Sequence, residues 1–282
     1  MNPPESTTAP AYAELHCMSN FSFQRGASQP EELVERAAAL GYAALAITDE
    51  CSVAGVVRAH VRAKTSGLKL LLGAEFVVPL ESTARAGSAL SFTAVVLAHN
   101  LQGWGNLCQF ITAARRAAPK GQYQVGWQGA HDQALWAQLT DCEVLLVFPD
   151  AINMEAAYAI STRARGLFSS NVWLAEELRL GLDDALQRVR LQQLAECTGL
   201  PLVAAGNVHM HVRSRKPLHD VLTAVRLGQP VAQCGFALQA NAELHLRSRA
   251  RLAALYPAQW LANTVLIADK CSFDLQEIAF QY

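Results

Sequence analysis

Short apolar runs alternate with amphipathic segments along almost all of this 282-residue chain, and that alternation constrains the fold more than any single motif. It is the pattern of a parallel sheet with crossover helices. Strands read as Tyr12–His16, Ala43–Thr48, Lys69–Leu72, Phe92–Ala98, Glu143–Phe148, Asn171–Ala175 and Leu202–Ala205. Helices are expected over Glu31–Leu40, Val53–Thr65, Trp104–Ala117, Met154–Arg165 and Leu182–Cys197. The first should bury Leu33, Val34, Ala37 and Leu40, the second Val53, Val56, Val57, His60 and Val61, and the last Leu186, Val189, Leu194 and Cys197. Ser28 reads as N-cap of the first helix with Glu31 as capping-box partner, Pro30 in its first turn and Gly41 as its stop. Pro79–Ser91 reads as a loop or hairpin, and the Gly- and Gln-rich stretch Pro119–His131 as an exposed loop. Three further helices, Lys216–Leu227, Ser248–Leu255 and Pro257–Lys270, trail the last strand. The expected fold is therefore α/β, a distorted (β/α)7 barrel with additional C-terminal helices. An open doubly wound sheet is the alternative.

Chemistry in such barrels sits at the C-terminal ends of the strands. Those ends carry His16, Asp49-Glu50, Glu75 and, after the seventh strand, His209. Histidine and carboxylate donors converging from separate strands suit a Zn, Mn or Fe phosphoesterase site. The same groups could equally pair with one another as buried ion pairs. A net charge of -1 supplies no bulk attraction to nucleic acid or anionic membrane. The seven cysteines are scattered, odd in number and never spaced CxxC, as expected of reduced thiols in the cytoplasm. No apolar run is long enough to span a membrane and no signal peptide is evident, so no membrane partner is expected. Residues 1–10, rich in Pro, Ser and Thr, read as a disordered lead to a domain over 11–282.

His16-Cys17-Met18-Ser19, Thr48-Asp49-Glu50, Gly73-Ala74-Glu75 and Asn207-Val208-His209 together resemble the PHP (polymerase and histidinol phosphatase) domain. More closely, the chain is similar to the N-terminal PHP domain of bacterial C-family DNA polymerases, in the error-prone ImuC-type branch. The phrases carrying this are Phe21-Ser22-Phe23-Gln24-Arg25-Gly26-Ala27-Ser28, Ala46 through Val57, Ala205 through His211, Arg213 through Leu218 and Trp260 through Thr264. The resemblance implies polymerase domains beyond Tyr282, Mg²⁺ for their nucleotidyl transfer, and DNA, ImuB-type mutasome proteins and a sliding clamp as partners of the parent. It also implies metal ligands, of which His16, Asp49, Glu75 and His209 survive and Glu50 could substitute. Met18, Glu50, Thr93, Pro149 and Asn207 stand where the family pattern has other donors. At most one weakly held Zn or Mn is then expected, and the module is expected to be structural, with no catalytic residue of its own. The alternative is a working PHP phosphoesterase or 3′-5′ exonuclease.

Other features weigh toward structure. His99 sits one residue past Ala98 at the end of the fourth strand, out of register with the family ligand. The basic groups Arg213–Lys216, Arg247/Arg249/Arg251 and Arg115/Arg116/Lys120 read first as solvated or structural, and second as contacts to DNA or another domain. Trp104 and Trp127 read as packing anchors.

Overall fold

A computed structural model describes residues 9–80 and 90–279. The strands are β1 (Ala13–Glu14), β2 (Ala44–Ile47), β3 (Lys69–Pro79), β4 (Ser91–Ala98), β5 (Cys142–Val147), β6 (Val172–Glu177) and β7 (Leu202–Ala205). They form one sheet in sequence order. Around it lie α1 (Pro30–Ala39), α2 (Val56–Ser66), α3 (Leu101–Arg116), α4 (Ala130–Trp136), α5 (Met154–Phe168), α6 (Asp184–Thr198), α7 (Lys216–Leu227), α8 (Arg249–Leu255) and α9 (Ala258–Lys270). The sheet curls into a nearly closed barrel, with Cys17 bridging Val208 where the chain leaves β1 and β7. Most of the lead, residues 1–8, lies outside the described residues.

The expected seven-stranded barrel is found, with the direction of one strand differing from a wholly parallel sheet. β4 runs antiparallel to both β3 and β5, whereas all other neighbours are parallel. β3 extends to Pro79, well past the expected Leu72, and pairs along its outer half with β4 as a hairpin. The start of β4, including Thr93, therefore lies at the mouth, while His99, just past its end, lies at the opposite pole.

Side chains alternate across the barrel wall with period two. Ala13, Leu15, Ala44, Ala46, Leu71, Val95, Leu97, Leu145, Trp173, Ala175, Val203 and Ala205 form the interior. On the same parity, β3 presents Glu75 and β6 Glu177 toward the mouth. The pole opposite the mouth is plugged by α9, whose Ile267 and Ala268, with Cys271 just after the helix, join the interior. Its polar side chains satisfy strand starts. Thr264 Oγ1 accepts from Ala13 N–H at 3.0 Å and Asn263 Nδ2 donates to the Leu202 carbonyl at 2.7 Å. Lys270 and His99 meet the buried Glu143 there, at 2.7 and 2.9 Å.

β1 is only two residues long, so the β1–β7 seam lacks a regular ladder. The buried Glu14 carboxylate fills the gap, accepting from Gly206 N–H at 2.8 Å, His16 N–H at 3.0 Å and the Tyr12 hydroxyl at 2.8 Å. A Cβ on residue 206 would lie 2.2 Å from Glu14 Oε2, which is why glycine stands there.

Three helix readings shift. The α1 N-cap is Gln29, with Glu32 closing on its N–H at 2.9 Å. Ser28 is engaged elsewhere, its hydroxyl accepting from His211 N–H at 2.9 Å, and Glu31 pairs with Arg58. α2 buries Val56, Ala59 and Ala63, leaving Val57 and Val61 60% and 62% exposed. Two alanines let the helix approach its neighbours closely, and that outweighs the larger valines. α6 buries Leu191, Leu194 and Thr198 and leaves Leu186, Val189 and Cys197 exposed. Its phase is set by Arg188, which reaches in to the buried Glu176 with two 2.8 Å bonds. α4 occupies the end of the expected exposed loop, where Trp136 joins an aromatic cluster with Phe76, Phe110 and Trp127.

Candidate functional site

The loop after β1 brings His16 to the centre of the mouth, fully buried. Both ring nitrogens face carboxylates: Nε2 lies 2.6 Å from Glu75 Oε2 and Nδ1 2.5 Å from Glu177 Oε1. An imidazole between two carboxylates donates from both nitrogens only as the imidazolium. Burial alone would lower the His16 pKa, but Glu177 and Glu75 push it up to about 10. Reciprocally, burial would raise the two glutamates. His16 holds Glu177 below the ordinary range, and Arg25 with His16 does the same for Glu75.

Arg25 is the second cation. Its Nη1 lies 2.5 Å from Glu50 Oε2 and 2.7 Å from Glu75 Oε1. The other Glu50 oxygen accepts from Tyr123 OH at 2.9 Å. Arg179 lies 3.8 Å from Glu177 at the rim. Glu50, Glu75 and Glu177 are thus met by the chain's own positive groups.

Asp49 is turned away from this centre. Its oxygens accept from the backbone N–H and hydroxyl of both Ser19 and Ser22, at 2.7–3.1 Å. Burial raises its pKa against those four bonds. They also fasten the 19–28 loop that carries Arg25, so Asp49 acts as a peg for the loop. Gly55 completes the peg, since a Cβ there would lie 2.7 Å from Asp49 Oδ2.

His209 joins a neutral chain of hydrogen bonds. Asn207, in left-handed backbone at φ 45°, donates from Nδ2 to Glu177 Oε2 at 2.8 Å and accepts from His209 Nε2 at 2.9 Å. His209 Nδ1 lies 3.1 Å from His219 Nε2. With its Nε2 proton given to Asn207, His209 accepts at Nδ1 from His219. Burial holds the His209 pKa well below its usual value, in keeping with a neutral ring.

The structure therefore brings His16, Glu50 and Glu75 together, turns Asp49 toward Ser19 and Ser22, links His209 to the centre only through Asn207, and adds Arg25 and Glu177. Met18 is fully buried and contributes its N–H to Val208. Thr93 sits on the inner face of β4 opposite Val77 and Val147, and Pro149 follows β5 at the rim. Sequence reasoning missed Glu177, although the period-two face through Trp173 and Ala175 leads to it. Arg25 carried no signal beyond its place in a matching phrase.

Tested against the metal cluster that the resemblance implies, these residues do not fit as they stand. Each donor atom of His16, Asp49, Glu50, Glu75 and His209 already has a partner within the chain. Among the described residues, no group of three or more His, Cys, Asp or Glu is disposed to hold a metal ion.

Six residues of the basic groups have internal partners, while Arg116, Lys120 and Arg251 are exposed. Arg213 pairs with Glu243, Arg215 with Glu32 and Lys216 with Asp220. The buried Arg247 donates to the carbonyls of Leu178 and Glu243, and Arg249 to those of Leu40 and Ala9. Arg115 donates to the carbonyls of Cys51 and Glu50. Trp104 stacks on Phe273. Among the described residues, no helix is long and apolar enough to cross a membrane.

The PHP domain family matches residues 14–162. An error-prone DNA polymerase of Dechloromonas aromatica is 48% identical over 273 residues, covering 97% of this chain and 25% of the relative. One from Bordetella parapertussis is 48% identical over 285 residues, covering 98% and 26%. One from Pseudomonas aeruginosa is 43% identical over 272 residues, covering 96% and 24%. The chain spans about a quarter of the length of these curated relatives. Among solved structures, an amidohydrolase from Chromobacterium violaceum with bound sulfate and no metal aligns with a TM-score of 0.50 at 15% identity. That alignment covers 71% of this chain and 88% of the other, and supports the barrel fold alone. With the family match extending over more than half its residues and strand ends in the matching order, the chain belongs to the PHP domain family.

Proposed function

We propose that this chain is the N-terminal PHP module of an error-prone DNA polymerase used in translesion synthesis and damage-induced mutagenesis. Within it, the barrel mouth serves as a structural knot and not as a phosphoesterase or proofreading centre. The observation that carries the second statement is the double occupation of the mouth by His16 and Arg25, each between two carboxylates. A two-metal hydrolase needs free carboxylates and imidazoles to hold ions that clamp the attacking and leaving oxygens. Here His16, Asp49, Glu75 and His209 are read as remnants of such a set.

The identity of the relatives supports the polymerase assignment. On this reading the parent binds DNA and Mg²⁺ through other domains, works in the cytoplasm, and meets ImuB-type mutasome proteins and a sliding clamp. α7 supports a role as part of a larger assembly. It buries His219, Thr223 and Ala224 while exposing Leu218, Val221 and Val225, the reverse of a lone surface helix.

The purified protein incubated with a 3′-labelled DNA primer and Mn²⁺ or Zn²⁺ should release no nucleotide above the metal-only blank. Elemental analysis should find well under one Zn, Mn or Fe per chain. Stoichiometric metal together with Mn²⁺-dependent cleavage, both lost in His16→Ala and Asp49→Ala, would establish the hydrolase reading instead.

A further inference from the structure

Arg25 reaches the mouth from a loop with little freedom. Gln24 before it has left-handed backbone at φ 61°, Arg25 N–H donates to the Ser22 carbonyl at 2.9 Å, and Asp49 binds Ser19 and Ser22. The guanidinium is delivered to one point, where Glu50 Oε2 and Glu75 Oε1 converge on a single nitrogen at 2.5 and 2.7 Å. Glu50 is fixed from behind by Tyr123, and Glu75 by His16. Each carboxylate thus has a second anchor, through its other oxygen, besides the arginine.

Resting on the structural reading of the mouth above, we propose that Arg25 is its resident cation. It occupies the point at which Glu50 and Glu75 would otherwise hold a divalent ion, and its removal converts that point into a divalent-cation site. Two fixed carboxylate oxygens around a cation-sized space are a partial hard-ion site, which water can complete at metal–oxygen distances of about 2.0–2.6 Å. The guanidinium excludes an ion in two ways. It fills the space, and it adds a positive charge that an incoming cation would have to face.

The test compares wild type with Arg25→Ala, Arg25→Lys and the double variant Arg25→Ala/Glu50→Gln, with Mn²⁺ as the probe. Binding is read from the Mn²⁺ electron paramagnetic resonance signal, and stability from thermal melts with and without Mn²⁺. Arg25→Ala should melt lower than wild type without metal and recover part of that loss in Mn²⁺. Its Mn²⁺ affinity should exceed the wild-type value at least tenfold. Arg25→Lys, which keeps a cation at the same point, should behave as wild type, and the double variant should lose the gained binding. Should Arg25→Ala fail to fold without metal, refolding by Mn²⁺ supports the proposal, and failure of Mn²⁺ to refold it overturns the proposal. An Arg25→Ala protein that is folded yet binds Mn²⁺ no better than wild type also overturns it. Stoichiometric Mn²⁺ in wild type would instead overturn the structural reading of the mouth.

Discussion

His16→Ala should cost about 3–5 kcal/mol of folding stability, the range for removing one partner of a buried ion pair. The cost arises because Glu75 and Glu177 stay behind in the barrel, both buried, without the positive ring between them. Arg25 still holds Glu75 and Asn207 still donates to Glu177, which places the loss toward the lower end of that range. Urea unfolding at pH 7 measures it, and the melting temperature should fall by on the order of 10 °C. His16→Gln retains hydrogen bonding without charge and should lie between wild type and alanine. If the site instead lacked internal compensation, with His16 serving only as a waiting ligand, its removal from the metal-free protein would cost little. A loss below about 1 kcal/mol would contradict the ion-paired reading.

Stability should also decline on the alkaline side, with His16 as a principal cause. Its pKa in the folded chain stands at about 10, against about 6.5 for an unfolded histidine. The ring's contribution is therefore complete below about pH 6.5, decreases as pH rises, and is gone above about pH 10. Over that window the folded state binds close to one proton more than the unfolded state. The slope is then about 1.4 kcal/mol per pH unit, and the total over the window is on the order of 5 kcal/mol. Glu75 and Glu177 act at the other end. Their lowered pKa values give stability that is present above about pH 4.5 and is lost as pH falls through the folded values. Buried neutral histidines, His209 and His219, add a further loss below about pH 6.5, since only the unfolded chain protonates them readily. Maximum stability should thus lie near neutrality. Tyr12, Tyr256 and Cys17 also titrate higher in the folded chain and steepen the alkaline loss. The informative quantity is the difference between wild type and His16→Asn. It should shrink between pH 7 and pH 10, and a difference that stays constant would contradict an imidazolium at this position.

The barrel was legible because strand and helix periods differ, and each strand announces itself by an apolar run of the right length. Strand direction was less so. Nothing in Phe92–Ala98 distinguishes a strand that returns antiparallel from one that follows a crossover, and only the polar stretch before it allowed a hairpin. Helix phase failed in α2 and α6 for a shared reason: a helix turns toward its best partner, not toward its largest apolar side chains. In α2 that partner surface is reached by Ala59 and Ala63, and in α6 the turn is set by Arg188 meeting Glu176.

At the mouth, His16, Glu75 and Glu50 were visible because strand ends and the family pattern both point to them. What those residues touch was not visible. Pairing depends on Arg25, which arrives from a loop of unusual backbone, and on Glu177, which lies two residues beyond the expected end of its strand. The substitutions Met18 and Asn207 could be read as losses. The gain that offsets them, a side-chain cation at the centre, emerges only when the loop is folded over the barrel.

The most direct test is the protonation state of His16 in solution, read from the ¹⁵N and ¹H resonances of its imidazole ring at pH 7.5. The ion-paired mouth predicts that both ring nitrogens carry protons, with shifts unchanged by chelator and no selective broadening by Mn²⁺ at concentrations below the protein's. A ring with one unprotonated nitrogen, shifting on chelation or broadened first by Mn²⁺, would show that an external ion does what Arg25 and His16 are held to do.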